Sequence, residues 1–173
     1  VFKGVVEMER STITERSSKL FPFSGIYSAS KNLIDFEKNK KIEDQVKLVS
    51  AFWETVGQNM DQWKGVRIGN QSATEVRRDY IHTHVIILQA IGVAGKDLIN
   101  QFPSNWKTKL KNLYKVNWLK NDPEWHRRVI INGRVVKNTN SIILASNLIK
   151  KALGVRLNTK EKALESKIKK NGK

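Results

Sequence analysis

The sequence predicts a mainly α fold, a compact helical domain of about five to six helices with one short β-hairpin near 128–137. Apolar residues recur at three-four spacing over long stretches, as in Ile42, Val46, Val49, Trp53, Val56 and Met60. A single Asn132-Gly133 pair lies between β-branched runs and marks a two-residue hairpin turn. The 173 residues, 39% apolar with 10 Gly and 3 Pro, suffice for one core and exclude collagen-like, low-complexity or wholly disordered chains.

In chain order, Val1 to Glu7 reads as a short strand or extended lead-in, with Val5 and Val6 β-branched. Arg10 to Lys19 is a polar loop rich in hydroxyls. Ser24 caps a first helix with Ile26, Ala29, Leu33 and Phe36 inward, and Asn39 to Lys41 is a charged link. The second helix carries the Ile42 to Met60 stripe, and Gly65 to Ser72 is a loop. One long third helix follows, with Ala73, Val76, Tyr80, His84, Ile87, Ile91 and Ala94 on its stripe. Its Gly92 and Gly95 point to close packing or fraying. Pro103-Ser104 opens a short helix with Trp106, Leu110 and Leu113 inward and Lys107, Lys109 and Lys111 outward. Asp122-Pro123 is a turn. The hairpin pairs Ile131 with Arg134, Ile130 with Val135 and Arg128 with Lys137. Ser141 or Asn140 starts a helix that Gly154 ends, and Asn158 with Glu161 caps the last one. The lysine-rich tail from Lys167 to Lys173 frays.

The chain thus divides into a lead-in and loop (1–23), a helical core (24–101) and a basic half with the hairpin and last helices (102–173). The whole is a single domain or the C-terminal part of a larger protein. It opens Val-Phe-Lys, without Met, and reads as a fragment or processed piece. The absence of cysteine excludes disulfides, thiolate zinc sites and iron–sulfur ligation, and fits the cytoplasm. The longest apolar stretch, Val85 to Gly95, is too short to span a bilayer, so no membrane partner is expected.

Charge is the strongest functional signal. The net charge is +16, and residues 101–173 hold 18 basic against 4 acidic side chains. Residues 1–100 hold 14 against 12. A positive field concentrated in one half favours a polyanion, because each neutralised phosphate releases a condensed counterion. The candidate DNA contacts are Arg127, Arg128, Arg134 and Lys137 on the hairpin, Asn138 and Asn140 after it, and Lys150 and Lys151 further on. On the ribbon, Arg128 opposite Lys137 is a like-charge pair that an anion would relieve. Arg10, Arg16 and Lys19 interleave with hydroxyls as a second contact, and Arg77 and Arg78 join the set.

Other chemistry is weakly represented. Glu75, Asp79 and His82 share one face of the expected third helix, but local ion pairs explain that face, and no metal site is assigned. His84 falls on the apolar stripe as a core or interface histidine. Trp53 and Trp106 belong to the core, whereas Trp118 and Trp125 flank the ribbon as base-stacking candidates. There is no Gly-rich phosphate loop, nucleophile elbow, EF-hand loop or HExxH, so neither a catalytic set nor a cofactor is expected.

Three strings carry a family likeness. They are Val1-Phe-Lys-Gly-Val-Val-Glu-Met-Glu-Arg-Ser-Thr with Arg16-Ser-Ser-Lys-Leu-Phe and Ser24-Gly-Ile-Tyr; Arg77-Arg-Asp-Tyr-Ile-His-Thr-His with Gln89-Ala-Ile-Gly; and Trp125-His-Arg-Arg-Val-Ile-Ile-Asn-Gly-Arg-Val through Lys137 and Asn138. In order and over most of the chain, they resemble the DndB family of DNA sulfur-modification proteins. The resemblance implies a bacterial or archaeal protein encoded beside the machinery that replaces a non-bridging phosphate oxygen of DNA with sulfur. It implies regulation of that gene cluster through binding of promoter DNA. Family members also carry an N-terminal Asp-Gly-Gln-His-Arg motif; it is absent here, so the chain looks like the helical C-terminal part. The resemblance carries no catalytic residue onto these positions.

The leading expectation is therefore a regulatory DNA-binding protein of a phosphorothioation system. Its partners are duplex DNA, other proteins of the machinery and, as a further candidate, a second copy of the chain. The alternatives are a protein-interaction module of the modification complex, or the helical part of a nuclease-like or ATPase-like enzyme whose catalytic region lies elsewhere.

Overall fold

The structure, a computed structural model, describes residues 1–34 and 41–170, with no side chains described for 169 and 170. Phe36 and residues 39 and 40 of the expected link lie outside the described residues, as does the 171–173 end of the lysine tail. The elements are β1 (Val6–Glu7), β2 (Phe21–Pro22), α1 (Phe23–Leu33), α2 (Ile42–Gln58), α3 (Asp61–Arg67), α4 (Ala73–Asp79), α5 (Val85–Gln101), α6 (Trp106–Leu110), β3 (Ile130–Ile131), β4 (Arg134–Val135), α7 (Thr139–Leu153) and α8 (Thr159–Lys170). Short 3₁₀ turns lie at Ile81–Thr83, Lys111–Lys115 and Pro123–Trp125. The fold is mainly α, as expected. It has eight α-helices among the described residues rather than five to six, because the expected third helix is cut in two and a further helix, α3, covers Asp61–Arg67 and takes up the start of the expected 65–72 loop.

The axis of the fold is α5, packed against α1 on one side and α7 on another. It is buried almost all round, through Ile86, Ile87, Leu88, Ala90, Ile91, Ala94 and Leu98, as suits a central helix. Its two glycines serve close packing rather than fraying. A Cβ on Gly92 would sit 2.2 Å from the Ala29 carbonyl oxygen of α1, and one on Gly95 would sit 2.3 Å from the Phe52 ring of α2. One continuous core joins Val5, Phe21 and Trp63 to Trp106, Trp125, Ile149 and Val155.

The expected third helix is broken. Tyr80 and His84 are both extended, with ψ of 136° and 138°, so α4 and α5 are separated by the Ile81–Thr83 turn. The backbone here bonds across to another segment, with the Ile81 amide on the Trp118 carbonyl at 2.8 Å and the Lys120 amide on the Asp79 carbonyl at 2.9 Å. These long-range bonds outcompete helical propagation, which periodicity alone does not reveal. The face shared by Glu75, Asp79 and His82 therefore does not exist. The first turn of α2 also departs from expectation. Ile42 and Val46 are exposed and line an apolar groove of about 330 Å³ with Tyr27, Ile34 and Val49.

The ends of elements follow local chemistry. β1 pairs in parallel with β2, and the Val5 carbonyl accepts from the Leu20 and Phe21 amides. This holds the chain extended through Pro22, so α1 starts one residue before the expected Ser24 cap. The hairpin register is as expected, Ile130 with Val135 and Ile131 with Arg134. Its turn residues Asn132 and Gly133 have φ of 51° and 73°, as a type I′ turn requires. Helix α7 is capped not by Asn140 or Ser141 but by Asn138, whose Oδ1 accepts from the Ser141 amide at 2.8 Å. Gly154 ends it in the left-handed region, at φ 75°. The Asn158–Glu161 capping box is reciprocal, with both bonds at 3.0 Å.

Candidate nucleic-acid interface

The structure divides the candidate cations into three groups. The first is paired with carboxylates at the α7–α8 contact, Arg128 and Lys150 buried and Lys151 at its edge. Arg128 turns inward, away from Lys137, and forms a two-pronged pair with Glu165 of α8; its Nη2 also lies 3.4 Å from Glu124. Lys150 is wholly buried and bridges Asp97 and Glu161, and Lys151 also reaches Glu165. Burial alone would raise the Glu165 carboxyl, but the hydrogen bonds from Arg128 and Lys151 outweigh it and hold the group below its ordinary range. The like-charge argument for Arg128 opposite Lys137 therefore fails. Arg128 and Lys150 are corrected from phosphate ligands to charges that fasten α8 to α7 and to the segment before the hairpin.

The second group shapes the Arg10–Lys19 loop. Arg77 donates from Nη1 and Nη2 to the carbonyls of Thr14, Glu15, Ser17 and Lys19 and to the Thr74 hydroxyl. Burial lowers its pKa, opposed by nearby Glu15. Arg78 is spent on its neighbour Asp79, at 2.7 and 2.9 Å, and Lys19 donates to the Gly4 carbonyl at 2.8 Å. These are positioning bonds: four residues of a hydroxyl-rich loop are held by one guanidinium.

The third group faces solvent. Arg10, Arg16, Arg127, Arg134, Lys137, Asn138 and Asn140 are all exposed. Arg127 sits at φ 65°, held by its amide on the Ile130 carbonyl. Asn138 spends its oxygen on the α7 cap and leaves its amide NH₂ outward. The base-stacking candidates do not survive. Trp118 and Trp125 are buried, lie parallel at 5.7 Å and 21°, and donate to the Leu113 and Asn117 carbonyls.

A cavity of about 320 Å³ joins regions far apart in sequence. Ser11, Thr12 and Ile13 of the loop, Leu20 and Pro22, Arg77, Thr83, His84 and Val85 at the start of α5, and Lys137 beyond the hairpin all line it. Its lining holds no carboxylate. His84 is depressed to about 4, by burial first and then by the charges of Lys120 and Lys137. Its Nε2 is shielded from solvent and makes no hydrogen bond among the described residues. Sequence reasoning missed this convergence because positions 11, 84 and 137 meet only through the tertiary fold. It also missed Lys120, whose ammonium donates to the Arg77 carbonyl at 2.6 Å.

The other histidine of the motif is a core group. His82 accepts from Trp63 Nε1 at Nδ1, 3.0 Å, which fixes the neutral tautomer and leaves Nε2–H for Gln62 Oε1 at 3.3 Å. Burial, aided by His84, pushes it down to about 3. Among the described residues, no group of three His, Cys, Asp or Glu side chains could hold a metal ion. No described helix is long and apolar enough to cross a membrane.

The hairpin sequence, the clamped loop and the Arg77–His84 segment are together the parts that carried the family likeness. A family model described as DndB, DNA-sulfur modification-associated, matches residues 1–156. The chain belongs to the DndB family. Membership implies a role in DNA sulfur modification. No curated protein and no solved structure matches the chain. For this DndB-family chain, the cavity and the exposed cations beside it form the candidate interface.

Proposed function

We propose that this DndB-family protein is a regulatory DNA-binding component of a DNA sulfur-modification system, acting on transcription of the modification gene cluster. The duplex backbone is gripped by Arg10 and Arg16 on the clamped loop and by Arg134 and Lys137 on the hairpin, with Arg127 and the Asn138 and Asn140 amides beside them. One observation supports this reading: residues 11–13 and Lys137, just beyond the hairpin, wall the same cavity, which brings the end of the hairpin segment up to the hydroxyl-rich loop. The charge count agrees. Three of the four carboxylates in residues 101–173 are committed to Arg128, Lys150 and Lys151, and the remaining cations outnumber acids heavily. Phosphate contacts supply affinity and register, while Arg and Asn groups at the rim are suited to base edges.

The test is fluorescence anisotropy of promoter and scrambled duplexes at several salt concentrations. Each phosphate contact contributes about 0.9 to the slope of log K against log salt. A triple change of Arg10, Arg16 and Arg134 to Ala should flatten that slope by about 2 to 3 and weaken binding to every duplex. A wild-type protein with no salt-dependent duplex binding would sink the proposal.

A further inference from the structure

We propose that the cavity at the start of α5 is a seat for a single phosphate oxyanion, held by Lys137, the hydroxyls of Ser11 and Thr12, and the leading amides of α5.

Three independent features converge there. The first is positive charge with no carboxylate in the lining. Arg77 and Lys137 both line the cavity, no carboxylate does, and every hydrogen bond from Arg77 goes to a neutral oxygen. Of the nearby carboxylates, Asp79 is already held two-pronged by Arg78, and Glu15 acts on Arg77 only through space, from outside the lining. A half-buried guanidinium whose hydrogen bonds all go to neutral oxygens remains a source of positive field, and an anion in the cavity would offset it. The second feature is a set of neutral donors. Ser11 and Thr12 bring two hydroxyls to the lining. The third is the helix itself. α5 is 17 residues long, with no acidic residue in its first turn and no side-chain cap. The amides of Val85 and Ile86 therefore have no intrahelical partner, and the positive end of the helix dipole opens on the cavity wall.

The seat rests on this cavity and not on the duplex proposal. The same chemistry accepts an internal phosphodiester of a nucleic acid or the monoester of a terminal or free phosphate, and the experiment separates them. The full chain, labelled with ¹⁵N, is titrated with inorganic phosphate at constant ionic strength. The Val85 and Ile86 amides and the His84 ring should shift saturably. One charge-assisted hydrogen bond is worth roughly a tenfold change or more in affinity, so Lys137→Gln should raise the Kd at least about tenfold. Thr12→Val, at an exposed loop position, should weaken it severalfold, and Lys160→Gln on α8, with the same loss of charge, should leave it unchanged. Competition then assigns the source. Displacement of phosphate by a duplex with 5′-hydroxyl ends points to internal diesters. Displacement only by 5′-phosphorylated ends points to a monoester, and displacement by neither points to a free phosphate compound. Amides that do not move, or equal titration of the wild type and Lys137→Gln, would overturn the seat. Duplex binding with a normal salt slope by a protein that takes up no phosphate would sink the seat alone. The converse result would sink the duplex reading alone.

Discussion

Replacing Arg128 with Met should destabilise the protein rather than weaken duplex binding. The Arg128 and Glu165 side chains are 8% and 7% exposed, and their pair is two-pronged. Removing one partner of a buried pair typically costs about 3–5 kcal/mol, because the other charge is left desolvated. Glu165 would keep Lys151, whose side chain is 44% exposed, and an amide of Asn147 at 3.4 Å, so the lower end, about 3 kcal/mol, is expected here. Urea unfolding followed by tryptophan emission is a direct assay, since five Trp report on the fold. With an m-value of about 2 kcal/mol/M, the midpoint should fall by about 1.5 M. Adding Glu165→Leu should restore most of the loss, because an apolar pair of similar volume is often neutral or better in such a site. The salt slope of duplex binding, measured well below the unfolding transition, should not change. A variant within about 0.5 kcal/mol of the wild type, with a slope reduced by one contact, would refute this reasoning and return Arg128 to the interface.

Three further outcomes follow from the geometry. His82 and His84 titrate at about 3 and 4 in the folded chain, and Glu165 sits below the ordinary carboxylate range. All three bind protons more readily when unfolded. Their stabilisation is therefore complete above about pH 6.5 and is lost progressively as the pH falls toward the folded values. Unfolding free energy that stays flat from about pH 7 to pH 5 would contradict the neutral buried imidazoles. Gly92→Ala should destabilise by about 1–3 kcal/mol, because the new methyl meets the Ala29 carbonyl of a neighbouring helix; a melting temperature equal to the wild type would mean α1 can move away. Asn138→Asp should keep the α7 cap, with stability within about 0.5 kcal/mol, while removing an outward amide and weakening duplex binding. Asn138→Ala should cost about 1 kcal/mol in the same urea assay.

The legible parts of the fold were those decided locally. The hairpin register followed from Asn132-Gly133, the α8 start from Asn158 and Glu161, and the end of α7 from Gly154, because each depends on residues within a few positions. The break at Tyr80 was not legible. It is imposed by Trp118 and Lys120, some forty positions away, on a stretch whose apolar spacing is helical throughout. The interface divided in the same way. That the last 73 residues are cationic is a matter of counting, but which cations remain available depends on where α8 lands. Arg127 and Arg128 are adjacent in sequence, and one is exposed while the other is buried on Glu165. Nothing in the string distinguishes them.

The family match stops at residue 156, whereas α8 spans Thr159–Lys170. Glu161 and Glu165 on that helix share the neutralisation of Lys150 and Arg128, which lie inside the matched stretch, with Asp97 and Glu124. The statistical boundary is thus not a physical one. A truncation drawn at the end of the similarity would leave buried Lys150 with Asp97 alone and buried Arg128 with only its 3.4 Å contact to Glu124, and such a shortened protein should melt earlier whatever its intact function. Expression designs for relatives need to carry the segment beyond the match, and a relative lacking acidic groups there must have solved the same neutralisation with different side chains.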